Sequence, residues 1–102
     1  MIKLNPTVEE FNEITSSGKT IVDFWAVWCQ PCRVQTPIVE EIAKTTDVKL
    51  VKIDIDVEDN RTFVDNFKVT SIPALVLFED GVIVDELIGL SSKDEILKAF
   101  GD

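Results

Sequence analysis

Cys29 and Cys32 are the only cysteines among 102 residues, and only Gln30 and Pro31 separate them. Two cysteines placed at random in such a chain would fall three apart in about 2% of cases, so the spacing carries information. Thiols this close can exchange electrons with a disulfide, hold a metal, staple a loop or pack as small hydrophobes. A staple contributes little, because closing so short a loop removes only about 2 kcal/mol of unfolded-state entropy. A zinc site would have to recruit carboxylates or a second subunit. Inert burial of both thiols stays open, since free cysteine is among the most buried residue types. The chain has no histidine, which excludes Ser-His-Asp, Cys-His and histidine-metal chemistry together.

The flanking residues favour electron exchange. Trp28-Cys29-Gln30-Pro31-Cys32 follows a β-rich apolar run, Thr20 to Val27, and precedes a helical pattern. Pro31 suits a first helical turn, where its missing N–H would have had no intrahelical partner. Cys29 then sits at the positive end of the helix, where unpaired N–H groups favour a thiolate. Cys32, inside the first turn, is expected to be the more buried of the two. The helix dipole supplies up to about 2 kcal/mol, but nucleophilicity falls with basicity. A second thiol held within reach does more, since intramolecular effective molarities reach about 10⁵ M.

The elements that must position this pair are legible along the chain. Ile2 to Leu4 reads as a short first strand. Thr7-Val8-Glu9-Glu10 forms a capping box opening a helix with Val8, Phe11 and Ile14 at helical spacing, ended by Ser16-Ser17-Gly18. The Thr20–Val27 run is apolar on both faces except for Asp23, as in a strand covered on both sides. Val34, Ile38 and Ile42 recur every four residues in a helix lasting to about Thr45, and Pro37 should kink it. Val48 to Ile55 reads as a strand and Asn60 to Phe67 as a short helix. Ala74 to Phe78 and Val82 to Leu87 are strands joined through Glu79-Asp80-Gly81, a hairpin signal. Ser92-Lys93-Asp94-Glu95 caps a last helix burying Ile96, Leu97 and Phe100. The order β-α-β-α-β-α-β-β-α predicts an α/β protein with a mixed sheet. No linker or repeat divides it, so residues 1–102 are expected to form one domain.

Composition narrows the function further. Ten basic against nineteen acidic residues give a net charge of −9, with no basic stripe for nucleic acid. The longest apolar stretch, Ile72 to Phe78, is seven residues, far short of the roughly 20 that cross a membrane. The start, Met1-Ile2-Lys3-Leu4-Asn5-Pro6, lacks a basic region followed by an apolar one. A cytoplasmic monomer without metal or cofactor is the expectation.

The whole chain resembles the thioredoxin family. The resemblance is carried by Val22-Asp23-Phe24-Trp25-Ala26-Val27-Trp28-Cys29-Gln30-Pro31-Cys32-Arg33, by Pro37, and by Val51-Lys52-Ile53-Asp54. The Ile72-Pro73 pair, Phe78-Glu79-Asp80-Gly81 and Gly89 extend it. It implies a thioredoxin fold, a central mixed five-stranded sheet flanked by four helices, with the dithiol at the end of the sheet. It implies protein-disulfide reduction: Cys29 attacks a client disulfide, Cys32 resolves the mixed disulfide, and a thioredoxin reductase restores the dithiol. By the same resemblance Asp23 helps deprotonate Cys32, Lys52 partners Asp23, and Pro73 is a cis-proline beside the dithiol. Trp28, Ile72, Pro73 and Gly89 would form a flat docking surface, while Trp25 packs beneath the site. Independently of the family, an Asp inside Ile21-Val22-Asp23-Phe24-Trp25 should be buried and its pKa raised.

Three departures bear on redox tuning and client choice. Gln30 stands where the family usually has Gly between the cysteines, Ser71 replaces a common Gly, and Ala74 a common Thr. Gln30 and Pro31 are therefore the expected tuning positions. An oxidase or isomerase on the same fold, and a binding subunit with incidental cysteines, are the competing readings. An intact C-x-x-C with Asp23 in place speaks against the binding subunit.

Overall fold

The computed structural model describes residues 1–101. In chain order its strands are β1 (Ile2–Leu4), β2 (Lys19–Trp25), β3 (Lys49–Asp54), β4 (Ala74–Glu79) and β5 (Val82–Ile88). The helices are α1 (Val8–Thr15), α2 (Gln30–Thr45), α3 (Arg61–Asn66) and α4 (Lys93–Ala99), with a 3₁₀ turn at Glu58–Asn60 leading into α3. The strands form one sheet in the order β1-β3-β2-β4-β5. β3 runs parallel to both β1 and β2, while β4 is antiparallel to β2 and to β5. This is the expected thioredoxin fold, five strands in a mixed sheet with four helices.

Local chemistry explains the boundaries. Both capping boxes close: the Glu10 amide donates to the Thr7 hydroxyl at 3.1 Å and the Thr7 amide to the Glu10 carboxylate at 2.9 Å. Ser92 and Glu95 repeat the arrangement at the start of α4 at the same distances. The β4–β5 hairpin turns on Asp80 (φ 52°) and Gly81 (φ 84°), two left-handed residues as a type I′ turn requires. The Gly18 amide donates to the Asp80 carboxylate at 2.8 Å, tying this turn to the start of β2.

Alternation along the strands divides the core in two. Ile21, Leu50, Leu75 and Leu77 point to one face and pack on Val39, Ile42 and Ala43 of α2 and on Ile96 and Phe100 near α4. Val22, Phe24, Val51, Ile53, Val76 and Phe78 point to the other face, against Phe11 of α1 and Phe63 of α3. The central strands are covered on both sides, and Asp23 and Lys52 are the two charged residues buried within them.

The expected helix faces need correction. Val34 is 52% exposed and Ile38 only half-buried; the buried stripe of α2 is Cys32, Gln35, Val39, Ile42 and Ala43. A strict four-residue step drifts around a helix of 3.6 residues per turn, and the polar Gln35 hides the true stripe. In α1, Val8 is exposed and the buried side is Phe11 with Thr15, whose hydroxyl donates to the Phe11 carbonyl at 3.0 Å. The strand through the site also stops two residues early, at Trp25, because the chain turns there: the Cys29 amide donates to the Ala26 carbonyl at 3.2 Å.

Candidate active site

That turn delivers Cys29 to the N-cap of α2. Its Sγ accepts a hydrogen bond from the Cys32 amide at 3.2 Å, so the sulfur satisfies one of the helix's free N–H groups. Gln30 is the first helical residue and Pro31 the second; both are exposed. The cysteine Cα atoms lie 5.3 Å apart and the pair is disulfide-bonded, within the span that a bond of this kind needs. Cys32 is the more buried, but at 1% against 4% for Cys29 the asymmetry is slight. Trp25, Ile55 and Ile72 pack around the two sulfurs and Ala26, which is why neither is open in the oxidised form.

Behind the pair lies a charged group of three. Asp23 faces Lys52 across the β2–β3 ladder. Asp23 is fully buried, and neither carboxyl oxygen has a hydrogen-bond partner among the described residues. Burial pushes its pKa up to about 7, Lys52 opposing and Glu40 reinforcing the shift. The Lys52 ammonium forms its ion pair with Glu40 and reaches Asp23 only through the field of its charge. It sits 3.7 Å from the Glu40 carboxylate and 4.8 Å over the Trp25 ring. A cleft of about 260 Å³ is lined by Cys32, Thr36, Trp25 and Lys52, joining the second cysteine to the lysine beside Asp23.

On the opposite side of the dithiol, the Ile72–Pro73 peptide is cis. Ile72 packs on the cysteines, and with Trp28, Ile55 and Thr70 it lines a groove of about 340 Å³. Trp28 is 65% exposed, held by its indole N–H donating to Asp56 at 2.8 Å. Gly89 has φ 86°, a conformation that favours glycine, and its amide donates to the Pro73 carbonyl at 2.8 Å. Of the four residues expected to form a flat surface, only Trp28 is widely exposed. Ile72 and Gly89 are half-buried and Pro73 is buried. Trp25 is half-buried and lies under the site as expected.

Two members of the site escaped sequence reasoning. Glu40 follows Cys32 and Thr36 at four-residue steps on α2, a signal that was present in the spacing. Asp56 lies in a short polar loop after β3, 28 residues from Trp28, and nothing local marks it.

A family model described as Thioredoxin matches residues 3–101. The thioredoxin of Staphylococcus haemolyticus is 40% identical over 90 residues, covering 88% of this chain and 86% of that one. That of Mycolicibacterium smegmatis is 42% identical over 89 residues, covering 85% and 80%. Among solved structures, a mutant thioredoxin from Halobacterium salinarum NRC-1 superposes with a TM-score of 0.86 at 35% identity, over 95% of this chain and 85% of that one. A chain that shares the fold, the dithiol at a helix start and this extent of sequence belongs to the thioredoxin family, and it is a thiol–disulfide oxidoreductase acting on protein disulfides.

Proposed function

We propose that this chain, working as one domain and as a monomer in the cytoplasm, passes electrons from a thioredoxin reductase to the disulfides of client proteins. Cys29 is the nucleophile. Its thiolate attacks one client sulfur, the client S–S bond breaks, and the departing sulfur leaves as a thiolate that takes up a proton. Asp23, ionised above its raised pKa of about 7, accepts the Cys32 proton across the cleft that Cys32 and Lys52 line. Cys32 then attacks the Cys29 sulfur and releases the second client thiolate. Two electrons have moved to the client, and the Cys29–Cys32 disulfide remains for the reductase to reduce.

Lys52 keeps the buried carboxyl from being neutral throughout the working pH range, because its charge opposes the effect of burial. Trp28, Ile72, Pro73 and Gly89 receive the client chain beside the sulfurs, and Gln30 and Pro31 tune the potential. The observation that carries this reading is the placement of Cys29 as the cap of α2, its sulfur already accepting an amide hydrogen bond. That site stabilises a thiolate leaving or attacking at the first position.

Reduction of insulin with dithiothreitol as the electron source tests the activity, and the midpoint potential tests its direction. A value near the roughly −270 mV of thioredoxin supports a reductase, whereas one above about −180 mV would make the chain an isomerase or oxidase.

A further inference from the structure

Gln35 is a polar side chain on the buried stripe of α2, three residues after Cys32, with no exposed surface. Its amide is engaged through both its nitrogen and its oxygen by a segment 56 residues away. The Gln35 Nε2 donates to the Ser91 carbonyl at 3.0 Å, and the Ser91 amide donates to the Gln35 Oε1 at 2.8 Å. Two bonds to one residue's main chain fix both its distance from α2 and the rotation of its peptide planes. An apolar side chain of similar size would fill the same space without desolvating two polar atoms. What the amide adds is geometry.

The segment so held is the one that carries Gly89. At its other end the Gly89 amide is bonded to the Pro73 carbonyl. Residues 89–91 are thus tied on one side to the cis-proline loop and on the other to the helix that bears the dithiol. Between the two ties, Leu90 projects outward, 51% exposed.

We propose that Gln35 is a positioning residue for client recognition, its amide clamping Ser91 so that Gly89 and Leu90 stand at a fixed place beside the dithiol and receive the client chain. The clamp touches neither sulfur. It acts on binding and leaves the exchange step alone. This inference rests on the docking surface proposed above.

Gln35→Leu keeps the volume and the helix while removing both bonds. The Ser91 amide and carbonyl then need water, and the segment loosens. The KM for insulin rises about five- to tenfold, the loss expected for two modest hydrogen bonds. The kcat, the midpoint potential and the turnover of a small aromatic disulfide, which needs no docking rim, stay at the parent values. Gln35→Glu is the conservative companion. Ionised, it keeps the acceptor for the Ser91 amide but loses the donor to the Ser91 carbonyl; protonated, it regains both. Its KM defect relative to the parent therefore shrinks as pH falls. An unchanged insulin KM in Gln35→Leu, a Gln35→Glu defect that does not shrink as pH falls, or a KM defect that extends equally to the small disulfide, overturns the assignment of Gln35. Trp28→Ala and Ile72→Ala separate the two failures. If they raise the insulin KM and Gln35→Leu does not, the docking surface stands and Gln35 falls; if none of the three raises it, the docking surface itself is wrong.

Discussion

The two sides of the sheet are built from different materials. On the α1/α3 side five of the six phenylalanines, Phe11, Phe24, Phe63, Phe67 and Phe78, meet in a chain of ring contacts with centroids 4.9 to 6.1 Å apart. On the α2/α4 side the filling is aliphatic apart from Phe100, and the buried charged residues Asp23 and Lys52 and the amide of Gln35 lie on that side, whereas the buried polar residues of the other side, Thr15, Thr20 and Asn60, are uncharged. Aromatic packing adds to stability through area and edge-to-face contact, and it can be dense because no charge must be accommodated. A buried carboxyl costs stability unless fully paired, so the chemical side draws on what the aromatic side supplies. Stability and reactivity are separated by one layer of backbone.

The largest effects test whether chemistry is confined to its side. Cys29→Ser abolishes turnover outright, because the attacking thiol is gone and the remaining Cys32 is buried. Cys32→Ser still attacks once and then stays trapped on the client, visible as a mixed disulfide on a non-reducing gel. Trapping by Cys29→Ser and not by Cys32→Ser would reverse the two roles. Phe11→Ala probes the other side. Losing a buried ring with three aromatic neighbours costs about 3–5 kcal/mol, and Tm falls by about 4–8 °C for each of these. The midpoint potential should not move. A potential that shifts along with Tm would show that the two sides are coupled through the sheet.

Asp23→Ala sharpens the contrast with an opposite sign. In the folded state burial raises the carboxyl's pKa to about 7 from its ordinary value of 3.8. Between those values the native state holds a proton that the unfolded state has released, so stability declines as pH rises from about 4 to about 7. Above pH 7 the full cost, up to about 4 kcal/mol, is present. Removing the carboxyl relieves it, less about 1 kcal/mol for the small cavity. The variant is therefore more stable than the parent at pH 8, equally stable or weaker near pH 4, and slower at releasing clients. Urea melts at the two pH values check the first part, and decay of the mixed disulfide checks the second. A variant less stable at pH 8 and equally fast would remove Asp23 from the mechanism.

The same division explains what could be read from sequence. The order of elements, the caps and the hairpin depend on neighbours within a few residues, so Thr7-Glu10, Ser92-Glu95 and Asp80-Gly81 announced them directly. Asp23 was legible because a carboxyl in an apolar strand has nowhere to hide. Gln35 was not, since a polar side chain on a helix is ordinarily solvated and its partner Ser91 lies far along the chain. The four-residue recurrence of Val34, Ile38 and Ile42 therefore does not follow the buried stripe, which runs through Gln35. Asp56 was invisible for the same reason of distance. The phenylalanines gave the core but not the side they fill, because that depends on which way each strand's alternation begins.

The smallest effect is expected at Gln30, which belongs to neither core. It is the first residue of α2, exposed, and flanked by the two sulfurs in sequence. Glycine here is more flexible in the unfolded chain and poorer in a helix by about 1 kcal/mol relative to alanine. That penalty acts on the first turn in both redox forms. Only its difference between them reaches the potential, and about 1.4 kcal/mol corresponds to about 30 mV for a two-electron couple. Gln30→Gly should therefore move the midpoint potential by tens of millivolts at most and leave insulin reduction intact. The cap geometry, Cys32 amide to Cys29 sulfur, uses no atom of the Gln30 side chain and should persist. A shift beyond about 100 mV would exceed what helix propensity can supply. It would mean that Gln30 acts on the sulfurs themselves, and a residue outside both cores would then belong to the chemical side.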